Sequence, residues 1–402
     1  MTMADNKDKK VLNVPALRFP EFTGEWERHK LSEVCSFYSG GTPSSSKKEY
    51  YNGNIPFIRS GELHKDYTEL FITEAGLSNS AAKLVETGDL LLALYGATSG
   101  DIAISKIKGA INQAILCIRT KQNKKFIESV WNKHVERLLQ TYLQGGQGNL
   151  SADIVKNIPF YFANSNEQDK LAKFISLLDE RIATQNKIIE KYESLIQAMC
   201  DTLVEQETQQ VTLSFSDFGQ SYLGLSGKSA EDFGEGYPFI TYMNVYQNQI
   251  IDLTDVGLVK INETEQQSVV RYGDILLTLS SETPEEVGMG AVYLGETYPL
   301  YLNSFCFGIH ITDESKIYPP FLAYYVSSQS FRKAVYPLAQ GSTRFNLQKS
   351  DFMKKKFSFP VIEKQRKIYS TLKTYSDKLI VEKQIMRLLC NQKCYLLRQL
   401  FI

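Results

Sequence analysis

The side chains best suited to chemistry in this sequence are cations, amides and phenols set among glycine and serine. Ser39-Gly40-Gly41-Thr42-Pro43-Ser44-Ser45-Ser46-Lys47-Lys48 leads to Tyr50 and Tyr51, and Ser221-Tyr222 leads through to Ser226-Gly227-Lys228-Ser229. Further along come Gly145-Gly146-Gln147-Gly148-Asn149 and Gly341-Ser342-Thr343-Arg344-Phe345-Asn346. Glycine lets a backbone come close to a phosphate, while Gln, Asn, Lys and Arg carry the groups that read base edges in a major groove. The same composition suits a solvated loop, so no single loop decides the matter. Bond-making chemistry finds less support. Gly227-Lys228-Ser229 ends like a phosphate-binding P-loop, but Tyr222 stands where its first glycine is needed. Gly288-Met289-Gly290 lacks the third glycine of a dinucleotide site and sits between apparent strands. No Asn-Pro-Pro-aromatic segment, HExxH or GxSxG occurs. Asp89 and Asp274 each follow a glycine at the mouth of an apolar run, where a carboxylate stabilises a turn rather than moving protons. No catalytic residue is expected.

The elements that carry these loops occur twice. Gly88-Asp89-Leu90-Leu91-Leu92-Ala93-Leu94 returns as Gly273-Asp274-Ile275-Leu276-Leu277-Thr278-Leu279, and Ile55-Pro56-Phe57-Ile58 returns as Tyr237-Pro238-Phe239-Ile240. Asn149-Leu150, Asp153 and Pro159 return as Asn346-Leu347, Asp351 and Pro360. The order is kept while the offset drifts, as loop insertions do to two copies of one domain, and the period is too long for a solenoid. Short apolar runs separated by Gly, Pro, Ser and Asn predict strands around Asn54–Ile58, Asp89–Leu94 and Ala110–Ile118, then Tyr237–Tyr242, Asp274–Leu279 and Leu300–Ile311. Amphipathic helices are predicted over Phe126–Leu143 and Pro320–Leu338. Each copy is therefore a mixed α+β domain.

A helical region closes each half. Ile175, Leu178, Ile182, Gln185, Ile189, Tyr192, Ile196, Met199 and Leu203 step by three and four, and so do Leu372, Tyr375, Leu379, Glu382, Met386, Leu389, Lys393, Leu396 and Leu400. That 3.5-residue period makes a narrow seam suited to a coiled coil. Gln185 and Glu382 fall at equivalent seam positions, where polar residues fix register. Ser165 and Gln168 fit a capping box opening the first helix. At about 1.5 Å per residue each helix is roughly 55 to 60 Å long, and the pair is expected to run antiparallel with a head at either end. Two separate helices, each packed on its own domain, are the alternative. The predicted segments are 1–27, a first head 28–165, a first spacer helix 166–207, a second head 208–360 and a second spacer helix 361–402.

The totals agree with a globular chain without a global field. In 402 residues, 43% are hydrophobic, and 45 basic side chains balance 45 acidic ones, so composition alone advertises no polyanionic partner. Met1 to Lys10 is polar and no run approaches 18 apolar residues, so neither a secretory leader nor a membrane span is expected. Cys35, Cys117, Cys200, Cys306, Cys390 and Cys394 form no CxxC pair, which predicts reduced thiols in a cytoplasmic protein and no metal site.

Two heads, each followed by a long heptad helix, resemble the specificity (S) subunit of type I restriction-modification systems. The local motifs agree: Val14-Pro15-Ala16-Leu17-Arg18-Phe19-Pro20-Glu21-Phe22 with Gly24-Glu25-Trp26, then Gly41-Thr42-Pro43-Ser44, Ile55-Pro56-Phe57-Ile58, Gly88-Asp89-Leu90-Leu91, and Asn166-Glu167-Gln168 at the junction into the first helix. The second junction departs slightly, reading Glu363-Lys364-Gln365, and only the first ten residues fall outside the likeness. The resemblance implies two pseudo-symmetric target-recognition domains joined by a pair of long antiparallel coiled-coil helices. It implies a non-catalytic chain that binds a split site on double-stranded DNA, one domain to each half, and docks two methyltransferase subunits. S-adenosylmethionine, ATP and Mg are then expected on partner methyltransferase and restriction subunits, with none bound by this chain. On that reading Lys47, Lys48, Tyr50, Arg59, Lys228, Tyr242, Asn244 and Arg344, in or beside the loops, are the expected DNA contacts. A two-headed protein-binding scaffold without DNA recognition is the rival reading.

Overall fold

The computed structural model describes residues 12–143, 149–296 and 298–402. The chain divides into two compact units, Met1–Asn186 with Ile385–Ile402, and Lys187–Gln384. The division falls inside the two long helices, so each unit holds one head and a portion of both.

The first head is built around a four-stranded antiparallel sheet in the order Cys35–Ser39, Ile115–Thr120, Leu90–Ala93, Ile102–Ile104. The second head repeats that order with Gly219–Leu223, Cys306–Ile311, Ile275–Thr278 and Gly290–Val292. All four residues of Leu90–Ala93 are buried, which explains an unbroken apolar run where a one-sided strand would alternate. Leu90 and Leu92 pack with Phe126 and Trp131 of helix Lys124–Leu143, whereas Leu91 and Ala93 pack with Ile58, Val85 and Cys117. In the second head, Ile275 and Leu277 face Phe215 and Phe321, and Leu276 faces Tyr222 and Tyr293. Beside the first of these sheets, Tyr51–Ile58 pairs antiparallel with Phe71–Ile72 and parallel with Gly109–Ile111.

Three sequence expectations need correction. Ala110–Ile118 is not one strand but the end of Gly109–Ile111 and the start of Ile115–Thr120. Asn112 interrupts it, because its side-chain oxygen accepts from Ala114 N at 3.0 Å and turns the chain between sheets. Leu300–Ile311 is cut at the matching place by Asn303, which accepts from Phe305 N at 2.9 Å. Pro320–Leu338 is two helices, Pro319–Tyr325 and Gln329–Val335, since the Ser328 hydroxyl accepts from Phe331 N and starts a new helix.

The long helices are Ser165–Glu205 and Ile362–Leu400, of 41 and 39 residues. In the first unit, Leu171 and Ile175 of the former share a core with Leu397 and Leu400 of the latter, and Lys393 pairs with Asp179 at 2.6 Å. In the second unit, Ile196, Cys200 and Val204 share a core with Ile368 and Leu372, and Lys383 pairs with Glu193 at 2.7 Å. The pairing is antiparallel in both. Along the first helix Ile175, Gln185, Ile189 and Ile196 are buried, and Leu178, Ile182, Tyr192, Met199 and Leu203 are half-buried. Along the second, Leu372, Leu389 and Leu400 are buried, with Tyr375, Leu379, Glu382, Met386, Lys393 and Leu396 half-buried. Apolar neighbours off the seam stay out in water: Leu177, Leu195, Ile380 and Leu388 are exposed.

The helix starts also differ from expectation. Asn164, not Ser165, is the first cap, its side chain accepting from Glu167 N at 3.0 Å. Gln168 turns back into the head, donating to Ala163 O at 2.7 Å and accepting from Asn123 N at 3.2 Å. Gln365 does the same in the second head, donating to Pro360 O and accepting from Tyr318 N, both at 2.8 Å. The segment before the first head is tied down as well, by Arg18 on Glu167 at 2.7 Å and by Leu17 N on Gln399 O at 2.9 Å.

Neighbouring seam and surface positions should respond very differently to truncation. Ile196→Ala is expected to cost about 2–5 kcal/mol, while Leu195→Ala next to it stays within about 0.5 kcal/mol. Urea unfolding of the two variants side by side checks the register.

Candidate nucleic-acid interface

The two Gly-Asp pairs act in turns. Gly88 and Gly273 adopt φ of +89° and +84°, a left-handed conformation glycine takes without strain. The following carboxylate closes each turn: Asp89 accepts from Glu86 N at 3.0 Å, and Asp274 from Arg271 N at 2.8 Å. Burial works to raise the Asp89 carboxyl, but the Glu86 N–H and the Arg119 guanidinium, at 2.9 Å, outweigh it and hold its pKa below the ordinary value. In the second head, Tyr222 and His310 take that place, at 2.7 and 2.8 Å from Asp274. Burial, then the charge of Asp274, pushes the Tyr222 phenol well above its usual range. Both carboxylates are fully engaged within the fold.

The strands that leave these turns end in a cluster of loops, wired alike in both heads. In the first head, Gly40 N donates to Asn112 O at 3.2 Å, Leu94 N to Ala114 O at 2.8 Å, and Leu150 N to Leu94 O at 2.8 Å. A Cβ on Gly40 would lie 1.8 Å from Ile111 O, so this close approach requires glycine. In the second head, the bonds from Leu279 N to Phe305 O at 2.9 Å and from Leu347 N to Leu279 O at 2.8 Å repeat the last two, while Gly224 N donates to Cys306 O at 3.2 Å and not to the recurring asparagine. Three loops distant in sequence thus meet at one corner of each head. The corners differ in chemistry. The first presents Thr42, whose hydroxyl donates to Gln113 Oε1 at 2.7 Å, and Tyr95, whose hydroxyl donates to the Gln113 carbonyl. The second presents Ser304 and Phe305. Sequence reading passed over Gln113 and Phe305, although both stand directly after the recurring asparagine, Asn112 and Asn303, or one residue on.

The side chains expected to touch DNA fall into two groups. Lys48 and Arg344 are exposed, the latter 5.9 Å over the Phe305 ring. Lys47 is exposed and donates to the Tyr50 hydroxyl at 3.0 Å. Tyr242 is half-buried, its hydroxyl on Ser280 O at 2.8 Å and its ring stacked on Tyr246. Arg59 is exposed but held by Glu62 at 2.7 Å and Glu69 at 2.9 Å. Three expectations are corrected. Asn244 is wholly buried and donates to Asp252 O and Asp255 O at 2.7 and 2.6 Å, so its amide shapes a loop from within. Tyr50 is buried in the first head. The Lys228 side chain is 5% exposed and paired with Glu265 at 2.5 Å. These polar groups satisfy internal partners, which a bare sequence cannot distinguish from surface readers. Gly145 to Gly148 lie outside the described residues; Asn149 is exposed.

A model of the type I restriction modification DNA specificity domain matches the chain twice, over residues 23–194 and 224–389. The chain belongs to that family and carries its domain in two copies. At 22% identity it is similar to the type I restriction enzyme MjaVIII specificity subunit of Methanocaldococcus jannaschii, over 94% of this chain and 92% of that protein. At 27% identity, 40% of it aligns with 43% of the EcoR124I/EcoR124II specificity subunit of Escherichia coli. Its fold is that of the type I S subunit from M. genitalium, with a TM-score of 0.55, 17% identity, and 97% and 99% of the two chains covered. A chain from a structural study of complex assembly and conformational transition in the type I R-M system aligns at a TM-score of 0.57 and 15% identity, over 92% and 96%. The fold class and family implied by the sequence motifs therefore stand. Among the described residues no helix is long and apolar enough to cross a membrane.

The Arg59–Glu62 pair has a pH signature. Burial raises the Glu62 carboxyl, but hydrogen bonds from Arg59 and Thr68 overcome this and bring it down to about 2. A depressed carboxylate contributes stability above its unfolded pKa, about 4.3, and loses it as pH falls toward 2. Arg59→Ala is therefore expected to lower the melting temperature of the protein at pH 7 more than at pH 3, as thermal melts at both pH values would show.

Proposed function

We propose that this chain is the DNA sequence-specificity subunit of a type I restriction-modification complex, each head binding one half of a bipartite target. The reading is carried by the doubled specificity domain together with a loop corner that is wired alike in both heads yet bears different side chains. Similar wiring suits one mode of docking; different side chains suit two different half-sites. Loop donors such as Lys48 and Arg344 contact DNA in this scheme, with Lys47, Arg59 and Tyr242 able to join once their present partners are exchanged.

The chain does no chemistry of its own in this scheme. Two methyltransferase subunits dock on the helices and bring S-adenosylmethionine, and restriction subunits add ATP-dependent cleavage with Mg, all in the cytoplasm. The half-sites lie at an interval of the order of one B-DNA turn, about 34 Å. Unread base pairs lie between. Zero net charge fits a subunit whose partners supply much of the phosphate contact.

Two measurements test the proposal. The isolated chain is expected to bind DNA weakly, and the assembly with methyltransferase subunits to bind one bipartite sequence with a steep salt dependence; equal affinity of the assembly for scrambled DNA overturns the reading. Replacing Phe215 to Phe359 with the corresponding region of another specificity subunit should change one half-site and leave the other intact in methylation-sensitive sequencing. A swap that alters neither half removes the assignment.

A further inference from the structure

Phe305 is a large apolar side chain that stands in water on a hydrogen-bonded turn. It is 54% exposed, yet its N–H is bound by Asn303 Oδ1 at 2.9 Å, its carbonyl accepts from Leu279 N at 2.9 Å, and Cys306 N closes the turn on Asn303 O at 3.0 Å. Cys306, next in sequence, is wholly buried. The backbone that carries the ring is therefore held at both its N–H and its carbonyl while the side chain stands in water.

Arg344 faces it from another loop. Its guanidinium carbon lies 5.9 Å from the Phe305 ring centre, and among the described residues it forms no ion pair, unlike Arg59 and Lys228. That loop is tightly turned: Gly341 sits at φ +139°, where a Cβ would come within 2.0 Å of the Arg344 carbonyl. Glu286, the nearby carboxylate whose charge opposes that of Arg344 at Tyr242, is occupied by the Tyr246 hydroxyl at 2.6 Å and the Ser281 hydroxyl at 3.0 Å. The matching turn of the first head has Ala114, buried, in place of Phe305. An apolar ring beside an uncommitted cation thus marks the second corner alone.

We propose that Phe305 and Arg344 form a two-part base reader in the second head, the ring packing on the 5-methyl group of a thymine and the guanidinium donating to a guanine. The thymine methyl is the apolar group that unmodified base pairs show in the major groove, and Arg pairs with guanine O6 and N7 through two donors. A separation of 5.9 Å against a rise of roughly 3.4 Å per base pair puts the two bases no more than about two steps apart. This inference rests on the DNA-recognition reading above and specifies what one head reads.

The experiment uses the assembly with methyltransferase subunits and the half-site assigned to the second head by the region swap. Uracil in place of the thymine removes the methyl alone, and 7-deazaguanine in place of the guanine removes N7 alone. Each substitution should weaken binding by the wild type on the order of ten-fold. Phe305→Ala should weaken binding to the natural site by a similar factor and become indifferent to uracil; Arg344→Ala should become indifferent to 7-deazaguanine. Phe305→Leu, which keeps an apolar side chain, should retain most of the uracil effect, and substitutions in the other half-site should cost every variant the same. A second half-site without a thymine and a guanine within two pairs, or a Phe305→Ala assembly as sensitive to uracil as the wild type, overturns the proposal. So does a rise in 2-aminopurine fluorescence at that step on binding, which would mean that the ring unstacks bases instead. An assembly that keeps its bipartite target while failing these arms sinks the reader alone; equal affinity for scrambled DNA, or a swap that alters neither half-site, sinks the reading beneath it.

Discussion

Each head depends on one strand that is buried on both faces. Leu90–Ala93 and Ile275–Thr278 separate two apolar layers, so a one-residue slip in register would exchange the side chains of both layers at once. That constraint reaches the surface through the strand ends. At one end the Gly-Asp turn is locked by its carboxylate; just past the other, Leu94 and Leu279 bond the asparagine turn and the glycine loop. The loops are exposed, but the backbone under them belongs to the core, which is how two different loop surfaces are carried on the same support.

The junction between head and helix follows the same economy of parts. Gln168 and Gln365 use both ends of a buried amide to bind the head backbone just before the helix and the start of a neighbouring segment. A buried amide left without partners is costly, so each helix can leave its head in one direction only. In the first unit Asp179 extends the connection, taking Lys125 from the head at 2.7 Å and Lys393 from the second long helix at 2.6 Å. Heads and helices in each unit therefore form one packed object.

Charge is deployed locally. A chain with equal numbers of acids and bases has little long-range attraction for a polyanion, and several of its loop cations already answer internal carboxylates, as Lys228 does Glu265. Exposed donors such as Lys48 and Arg344 remain for an outside partner. Such a surface discriminates by placement more than by field strength, in keeping with a family whose members specify sites.

Much of this was legible in order of residues. The duplication, the strands around Leu90 and Ile275, and the seam from Ile175 to Leu203 follow from periodicity, because burial on two faces or along one stripe leaves an arithmetic trace in a linear string. Where Asn112 and Asn303 break a run, or Ser328 starts a new helix, the signal is a single side chain's hydrogen bond, and a continuous apolar stretch conceals it. The loops were recognisable by composition, but Asn244, Tyr50 and Lys228 were not separable from Lys48 and Arg344, since whether a polar group faces water or an internal partner depends on residues far away in the chain. The sequence by itself determined which elements exist and that they occur twice; only the tertiary structure decided which loops meet and which of their side chains remain unspent, because that choice is made by contacts between strands that no local pattern encodes.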